Sequence, residues 1–367
     1  MPNFPSFYPK DSLLALEIAQ QPTLWPTTLE RVQSAGLFYE QMTSPVVLTG
    51  AGTSAYAGAA IAEAWPSALA IPTTDLLIQS AQQIASLVPS LPEGGTLISL
   101  ARSGDSPESV AVVERFQKFF PRVRHVAIVC NANGRLARTP GVQVITLDPR
   151  TNDRSLAMTG SFSNLVLAGL ALVHREQLSK QLPALCSLAE NRLEQSAELV
   201  AKIASACADR VVILSSAMQA LAKEAALKII ELTDGRVLAL PETFLGLRHG
   251  PIGFLREDTP VLCFLSSDLQ KQLYERDLID DLRDKGLGKL ILVGEDPSLA
   301  SPRDWYLPLI ASSLPDSLRT PFEIPIAQLL AYCLSVSTNV NPDNPSPKGT
   351  ITRVVKPFRI HKEALQA

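Results

Sequence analysis

Residues 45–54 read PVVLTGAGTS and residues 96–109 read TLISLARSGDSPES. In both, an apolar β-type run ends in a turn rich in glycine and hydroxyls, Gly50 to Ser54 and Ala101 to Ser109. A helix-like segment follows each turn, AYAGAAIAEAW and then VAVVERFQKFF. Strand, hydroxyl-rich turn and helix start together make an anion site, because turn N–H groups and Ser/Thr hydroxyls converge at the positive end of a helix dipole. Two such loops from neighbouring strands define one pocket for a phosphorylated small molecule. Its candidate binding residues are Gly52, Thr53 and Ser54 in one loop and Arg102, Ser103, Gly104 and Ser106 in the other.

From Pro45 onward the pattern alternates. VVLTG, LAIPTTD, TLISLARSG, VRHVAIVCN and VQVITLD read as strands with helical segments between them, and a long helix runs from about Ser161 to Leu178. Strands separated by helices of this length imply a parallel sheet with crossovers. The second half repeats the order with RVVILSS, VLALPE, TPVLCFLSS, GKLILVGED and DWYLPLI. PVVLTGAGTSAYAGAA matches RVVILSSAMQALAKEAA in hydropathy, so duplication is the economical account. Ahead of the first sheet, DSLLALEIAQQ and TTLERVQSAGLFYEQM read as helices broken at Pro22 and Pro26, with Asp11 and Thr27 or Thr28 as N-caps. The chain thus divides into an N-terminal helical segment 1–42, a first α/β domain 43–182, a linking helix 183–208, a second α/β domain 209–338 and a tail 339–367. The tail is Pro/Asn-rich and then β-like, too small for a core of its own, and is expected to wrap the body or a partner subunit.

At 367 residues and 46% hydrophobic, the chain can bury one or two full cores. A net charge of −3 with 19% charged residues offers no basic surface for nucleic acid. The five cysteines, Cys130, Cys186, Cys207, Cys263 and Cys333, are scattered without C-x-x-C spacing and fit free thiols in a reducing cytosol better than disulfides or zinc. MPNFPSFYPKDS lacks a signal pattern, and no stretch reaches the ~18 uninterrupted apolar residues of a membrane span. The expectation is a cytoplasmic protein that does not engage a membrane.

One feature points elsewhere. Gly50-Ala-Gly52-Thr-Ser-Ala55 fits G-x-G-x-x-G/A, and Asp75 follows the second strand at roughly the ~20-residue interval of a dinucleotide site. Against this reading, the loop carries adjacent hydroxyls that a dinucleotide turn does not need. The third strand also ends in a second anion-type loop that such a fold does not call for. Asp75 then reads equally well as a helix N-cap.

Among four histidines, His249 stands out in LGLRHGPIGF, a turn that can hold an imidazole at a cleft. A lone histidine is as a rule structural; here the turn and the phosphate loops favour chemistry. His125 and His174 lie beside apolar runs and read as structural or surface residues, and His361 lies in the tail. Glu231 closes the helix KEAALKIIELTDG, where the negative dipole end opposes the ionised form, as a proton shuttle requires. Its alternative is an exposed helix-end glutamate, with Glu242 and Glu224 as rivals for the catalytic role.

GAGTS, ARSGDSPES and ALKIIELTDG…LGLRHGP together resemble the sugar isomerase (SIS) domain, and the duplication resembles the tandem SIS half of glucosamine-6-phosphate synthase. More narrowly, QQPTLW, ARSGDSPESVAVVE, TNDRSLAMTGSFSN, ELTDGRV, FLGLRHGP and DNPSPKGTITRVV resemble the tagatose-6-phosphate ketose/aldose isomerase family, understood as galactosamine-6-phosphate deaminase/isomerases. The resemblance runs from about Ile18 to Val355. It implies an α/β fold of two tandem SIS domains, each a mostly parallel, five-stranded, doubly wound and flavodoxin-like sheet flanked by helices. It places Thr53, Ser54, Ser103 and Ser106 on the sugar phosphate, Glu231 on the proton moved between carbons 1 and 2, and His249 on ring opening. Departures stand beside these matches. Ala101 replaces a phosphate-binding serine and Arg102 a glutamine, where a guanidinium can compensate for a lost hydroxyl. Lys348 lies two positions out of register with the synthase's tail lysine and reads more simply as solvated, and Thr352 stands where relatives usually carry Asn.

The implied reaction converts an amino-hexose 6-phosphate, galactosamine 6-phosphate by preference, to tagatose 6-phosphate and ammonia. A plain aldose–ketose isomerase and a glucosamine-6-phosphate deaminase share most of its steps. A sugar-phosphate sensor would keep the loops but need neither Glu231 nor His249. The resemblance implies a homodimer with sites built from two chains, and no cofactor or metal, since every step is proton transfer or hydrolysis.

Overall fold

The computed structural model describes residues 12–356 and 358–361. Two short helices come first, α1 (Leu13–Ala19) and α2 (Gln21–Ala35). The break falls at Gln20, not at the prolines: Pro22 takes the first turn of α2, where no intrahelical N–H is required, and Pro26 lies inside the helix. Asp11 lies outside the described residues; Ser12 caps α1, its hydroxyl accepting from Ala15 N at 3.3 Å. Thr28 is buried within α2 and donates to Asn164 Oδ1 at 2.6 Å, which rules it out as a cap.

The chain then runs β1 (Val46–Thr49), α3 (Thr53–Ala64), β2 (Ala68–Ala70), α4 (Thr73–Ile78), α5 (Ala81–Leu87), β3 (Gly95–Ala101), α6 (Pro107–Phe119), β4 (Val123–Val129) and β5 (Val142–Thr146). After α7 (Gly160–Ala206) come β6 (Arg210–Ser215), α8 (Gln219–Leu232), β7 (Leu238–Glu242), α9 (Phe244–Leu247), β8 (Pro260–Phe264), α10 (Leu269–Asp284), β9 (Lys289–Gly294), β10 (Trp305–Pro308) and α11 (Thr320–Ser337). The described residues form two compact units. One holds Thr23–Asp153, Gly160–Lys180 and the tail from Ile351; the other holds the chain up to Pro22, Arg154–Thr159 and Gln181–Thr350.

In the first of these units the five strands pair in the order β2-β1-β3-β4-β5, all parallel, with Thr49 opposite Ser99. β1 and β3 are buried along their whole length, the mark of a parallel sheet covered on both faces. Val47, Leu97 and Ala127 of the sheet pack with Val112, Val113 and Phe116 of α6 and Leu76 of α4. The second unit repeats the order as β7-β6-β8-β9-β10, again all parallel. Its core sets Val212, Val261 and Leu292 against Phe244, Leu278 and Leu282. The chain is therefore an α/β protein of two doubly wound five-stranded sheets, and the duplication read from hydropathy is a duplication of topology.

Two expectations need correction. The break between the helix from Ser161 and the linking helix falls at His174, whose backbone is non-helical (φ −116°, ψ 28°), so the linking helix runs from there to Ala206 and contains Pro183. Pro183 does not end it, because Leu178, Leu182, Leu185, Ala189 and Leu193 continue one buried stripe past the proline. The tail beyond Thr350 forms no strand among the described residues. It is tied by a side chain instead: Arg353 donates through Nε to Asp153 O at 2.8 Å and through Nη2 to Asn152 Oδ1 at 2.7 Å. No helix among the described residues is long and apolar enough to cross a membrane, and no disulfide joins any two of the five cysteines.

His125 sits on β4 opposite Leu97 and Val142, 5% exposed, with neither ring nitrogen hydrogen-bonded among the described residues. Burial holds its imidazole below the ordinary 6.5. The unfolded chain therefore takes up the proton first, and stability falls as pH drops below about 6.5. Replacing His125 with Leu should flatten urea midpoints between pH 7 and 5 (roughly the titration range of a free imidazole). A variant as acid-sensitive as the wild type would place the titrating group elsewhere.

Candidate active site

In a sheet of order 2-1-3-4-5, the connections leaving the first and third strands turn to opposite faces, and a crevice opens at the carboxyl ends of those strands. Here β1 and β3 are those neighbours, and GAGTS and ARSGDS are the loops at their ends. Gly50 must be glycine: a Cβ there would lie 2.5 Å from the carbonyl carbon of Ser54. Gly52 has φ +56° and opens α3, placing Thr53 and Ser54, both buried, in its first turn. The turn is tied down by Thr73, whose N–H donates to Gly50 O at 2.8 Å and whose hydroxyl pairs with that of Thr49 at 3.1 Å.

The second loop is braced from the turn after β4. Asn131 Nδ2 donates to Ser103 O at 3.1 Å, Leu136 N to Gly104 O at 2.9 Å and Arg135 N to Asp105 Oδ1 at 3.0 Å. Gly104 has φ +69°, Ser103 Oγ accepts from Asp105 N at 3.2 Å, and Ser106 is the N-cap residue of α6 with Pro107 at its first position. Neither N-cap residue, Gly52 of α3 or Ser106 of α6, makes a side-chain cap bond. Arg102 is buried and engages the tail, Nη2 donating to Arg353 O at 2.6 Å. Gly134 was missed from the sequence: a Cβ on it would lie 2.1 Å from Ser103 O, so the loop closes against a bare backbone. The turn NANG after the fourth strand was the available signal. Asp75 is the third residue of α4, exposed, and Pro72 holds the N-cap position, which corrects its reading as a cap.

Glu231, His249, Glu242 and Lys348 belong to the other unit. Glu231 lies in the last turn of α8 with its side chain 23% exposed, and its Oε2 is 2.5 Å from Lys228 Nζ. Lys228 is fully buried and also lies 3.3 Å from Glu224 Oε1. The carboxylate expected to face the helix's negative end alone therefore has an ammonium beside it. Lys228 was the second residue missed. Its signal was a lysine in the apolar run EAALKIIEL with carboxylates four residues before and three after, all on one helix face. A buried cation requires such partners.

His249 is exposed in the turn after α9, its N–H donating to Gly246 O at 3.0 Å, with Gly250 at φ +116° supplying the reversal. Glu242 closes β7 and accepts from Thr243 N at 2.7 Å, while Lys348 is exposed. Thr352 bonds only locally among the described residues, donating to Val354 O at 2.7 Å. His174 pairs with Ala64 O at 2.9 Å and His361 is exposed.

A doubly wound sheet with hydroxyl-rich loops at its crevice, present twice in one chain, is the architecture of SIS-domain phosphosugar enzymes. No family model matches the chain. A D-galactosamine-6-phosphate deaminase AgaS of Shewanella sp. (strain ANA-3) is 33% identical, over 95% of this chain and 91% of its own. The AgaS of Escherichia coli O157:H7 is 32% identical over 94% of both chains. The solved tagatose-6-phosphate ketose/aldose isomerase of Escherichia coli superposes with a TM-score of 0.80 at 27% identity, covering 96% of this chain and 97% of that one. Glucosamine-6-phosphate deaminase of Thermotoga maritima shares the fold, with a TM-score of 0.72 at 22% identity over 94% and 99% of the two chains. The chain belongs to the AgaS family of D-galactosamine-6-phosphate deaminases and is an amino-sugar-phosphate enzyme.

The bracing of the second loop makes a specific prediction. Gly134→Ala forces Ser103 O to move, and overpacking of this kind costs about 1–3 kcal/mol. The melting temperature should fall, and KM for the sugar phosphate should rise about tenfold, the equivalent of ~1.4 kcal/mol of binding. Unchanged KM in steady-state kinetics would show that Ser103 does not depend on this contact.

Proposed function

We propose that the chain converts galactosamine 6-phosphate and water to tagatose 6-phosphate and ammonia. The observation that carries this reading is the crevice of β1 and β3 with a hydroxyl-bearing loop on each strand end. The names of the full-length relatives supply the substrate.

In this reading Thr53, Ser54, Ser103 and Ser106, with the N–H groups around Gly52 and Gly104, hold the phosphate, and Arg102 ties their loop to the tail through Arg353. His249 gives a proton to the ring oxygen and opens the hemiacetal. Glu231 removes the proton on carbon 2, leaving an enolamine, and returns a proton to carbon 1. The product is a ketimine at carbon 2. Water adds to it, the amine leaves as ammonia, and a ketose 6-phosphate remains. Lys228 holds the Glu231 carboxylate in one orientation through the transfer. Lys348 is kept as a secondary candidate for contact with the sugar.

The test is a coupled ammonia assay on galactosamine 6-phosphate, glucosamine 6-phosphate and tagatose 6-phosphate. Ammonia from galactosamine 6-phosphate is expected. Aldose–ketose exchange without ammonia would favour the isomerase named for the solved Escherichia coli relative, and binding without turnover would favour a sensor. Positioned general acid–base groups contribute about 10²–10⁴ in rate. Glu231→Gln should therefore lower kcat by about that factor with KM nearly unchanged.

A homodimer and a cytoplasmic location complete the reading. Leu269 and Leu273, one turn apart on α10, are 79% and 56% exposed, apolar surface of the kind a second subunit covers. Light scattering should find about twice the chain mass of 39.6 kDa. A fully active monomer would refute the dimer.

A further inference from the structure

β6 and β8 hold the places of β1 and β3 in the second sheet, so the second copy has the same crevice, with loops Ser215–Met218 and Ser266–Asp268 at its strand ends. The loop after β8 is filled from within. The Asp316 carboxylate accepts from the Ser266 hydroxyl and from Ser267 N, the latter at 3.1 Å. Arg319, with 0% exposure, brings Nη1 to 2.9 Å from the same carboxylate, and Lys271 Nζ lies at 3.8 Å. The rest of the Arg319 guanidinium is fixed: Nε donates to Leu314 O at 2.8 Å and Nη2 to Ser267 Oγ at 2.6 Å. Asp268 caps α10, accepting from Gln270 N at 2.9 Å and Lys271 N at 3.1 Å.

A loop N–H, a loop hydroxyl and a buried guanidinium converging at the start of a 16-residue helix form an oxyanion cradle, and its occupant is a side chain of the same chain. The first copy is arranged otherwise. Its loop aspartate, Asp105, accepts from Arg135 N, and neither N-cap residue, Gly52 of α3 or Ser106 of α6, makes a side-chain cap bond.

We propose that the second copy keeps an oxyanion cradle closed by its own carboxylate, Asp316, so that each chain takes one sugar phosphate, and that removing this carboxylate opens a second site for inorganic phosphate. The other acids facing the cradle are Asp268, engaged with α10, Glu295, 3.5 Å from Arg319, and Glu275, which accepts from Ser266 N at 3.0 Å. Burial pushes the Glu275 carboxyl above its ordinary range, against the pull of the Ser266 N–H that it accepts from. The inference rests on the reading of the first-copy loops only for the count in the unaltered chain.

Equilibrium dialysis with labelled inorganic phosphate tests it on the wild type, Asp316→Ser and Asp316→Ser/Arg319→Met. Asp316→Ser is expected to bind one equivalent more than the wild type and to gain melting temperature with phosphate, and the double variant to lose both gains. No added equivalent in Asp316→Ser, or two equivalents in the wild type, would overturn the proposal. None in the wild type with one in Asp316→Ser would sink the first-copy phosphate site and leave the inference standing. Should Asp316→Ser not fold, the wild-type loop decides. Sugar-phosphate affinity unchanged by Ser266→Ala supports a closed cradle, and affinity lost by that substitution overturns it.

Discussion

The parallel pairing of β1 with β3 is the constraint on which the rest depends. Residues 46–49 lie in register with 96–99. Because β2 is laid on the far side of β1 and β4 on the far side of β3, the chain leaves these two strands in opposite directions. The divergence leaves their carboxyl ends uncovered and puts two turns there with their helices pointing away. Everything proposed for ligand recognition in the first unit follows from this: Gly50 and Gly52 let α3 start directly at the strand end, and Gly134 lets the second turn close against the backbone beside it.

Charge burial is the second organising rule. A lysine in the apolar run of α8 would be ruinous alone, but Glu224 and Glu231 meet it within one turn on either side, and the cluster is intrahelical. The same economy appears at Arg319 with Asp316, and at Arg192, whose guanidinium pairs with Glu323 where both side chains are at most 2% exposed. The two kinds of cluster differ in reach. Glu231 keeps 23% of its side chain exposed and can meet a substrate, while Asp316 is only 9% exposed and is spent on its own loop. That difference separates the carboxylate proposed for proton transfer from an internal counter-ion.

Much of this was legible because the signals are local. Strand, turn and helix starts around Gly50–Ser54 and Ala101–Ser109 are fixed by residues adjacent in sequence, and the hydropathic match of PVVLTG with RVVILS reports one topology used twice. Errors arose where a residue has two local meanings. Pro22 and Pro26 read as breaks, yet one sits in a first turn that tolerates it and the other lies inside α2. The β-like ITRVV pairs with no sheet, since Arg353 finds its partners in Asn152 and Asp153, about 200 residues earlier.

The sequence by itself determined the α/β class, the repeat, the position of both anion-type loops and the family, because each is written in patterns a few residues long. Tertiary structure alone decided which groups meet. Asp343 accepts from Leu13 N at 3.1 Å and Leu14 N at 2.8 Å at the start of α1; Gly134 presses on Ser103; Arg102 turns to the tail; Asp316 fills the loop after β8. These are contacts between residues far apart in the chain. Hydrogen bonds and close packing depend on distances of a few tenths of an ångström, and the folded backbone sets those distances, whatever the side chains' spacing in sequence.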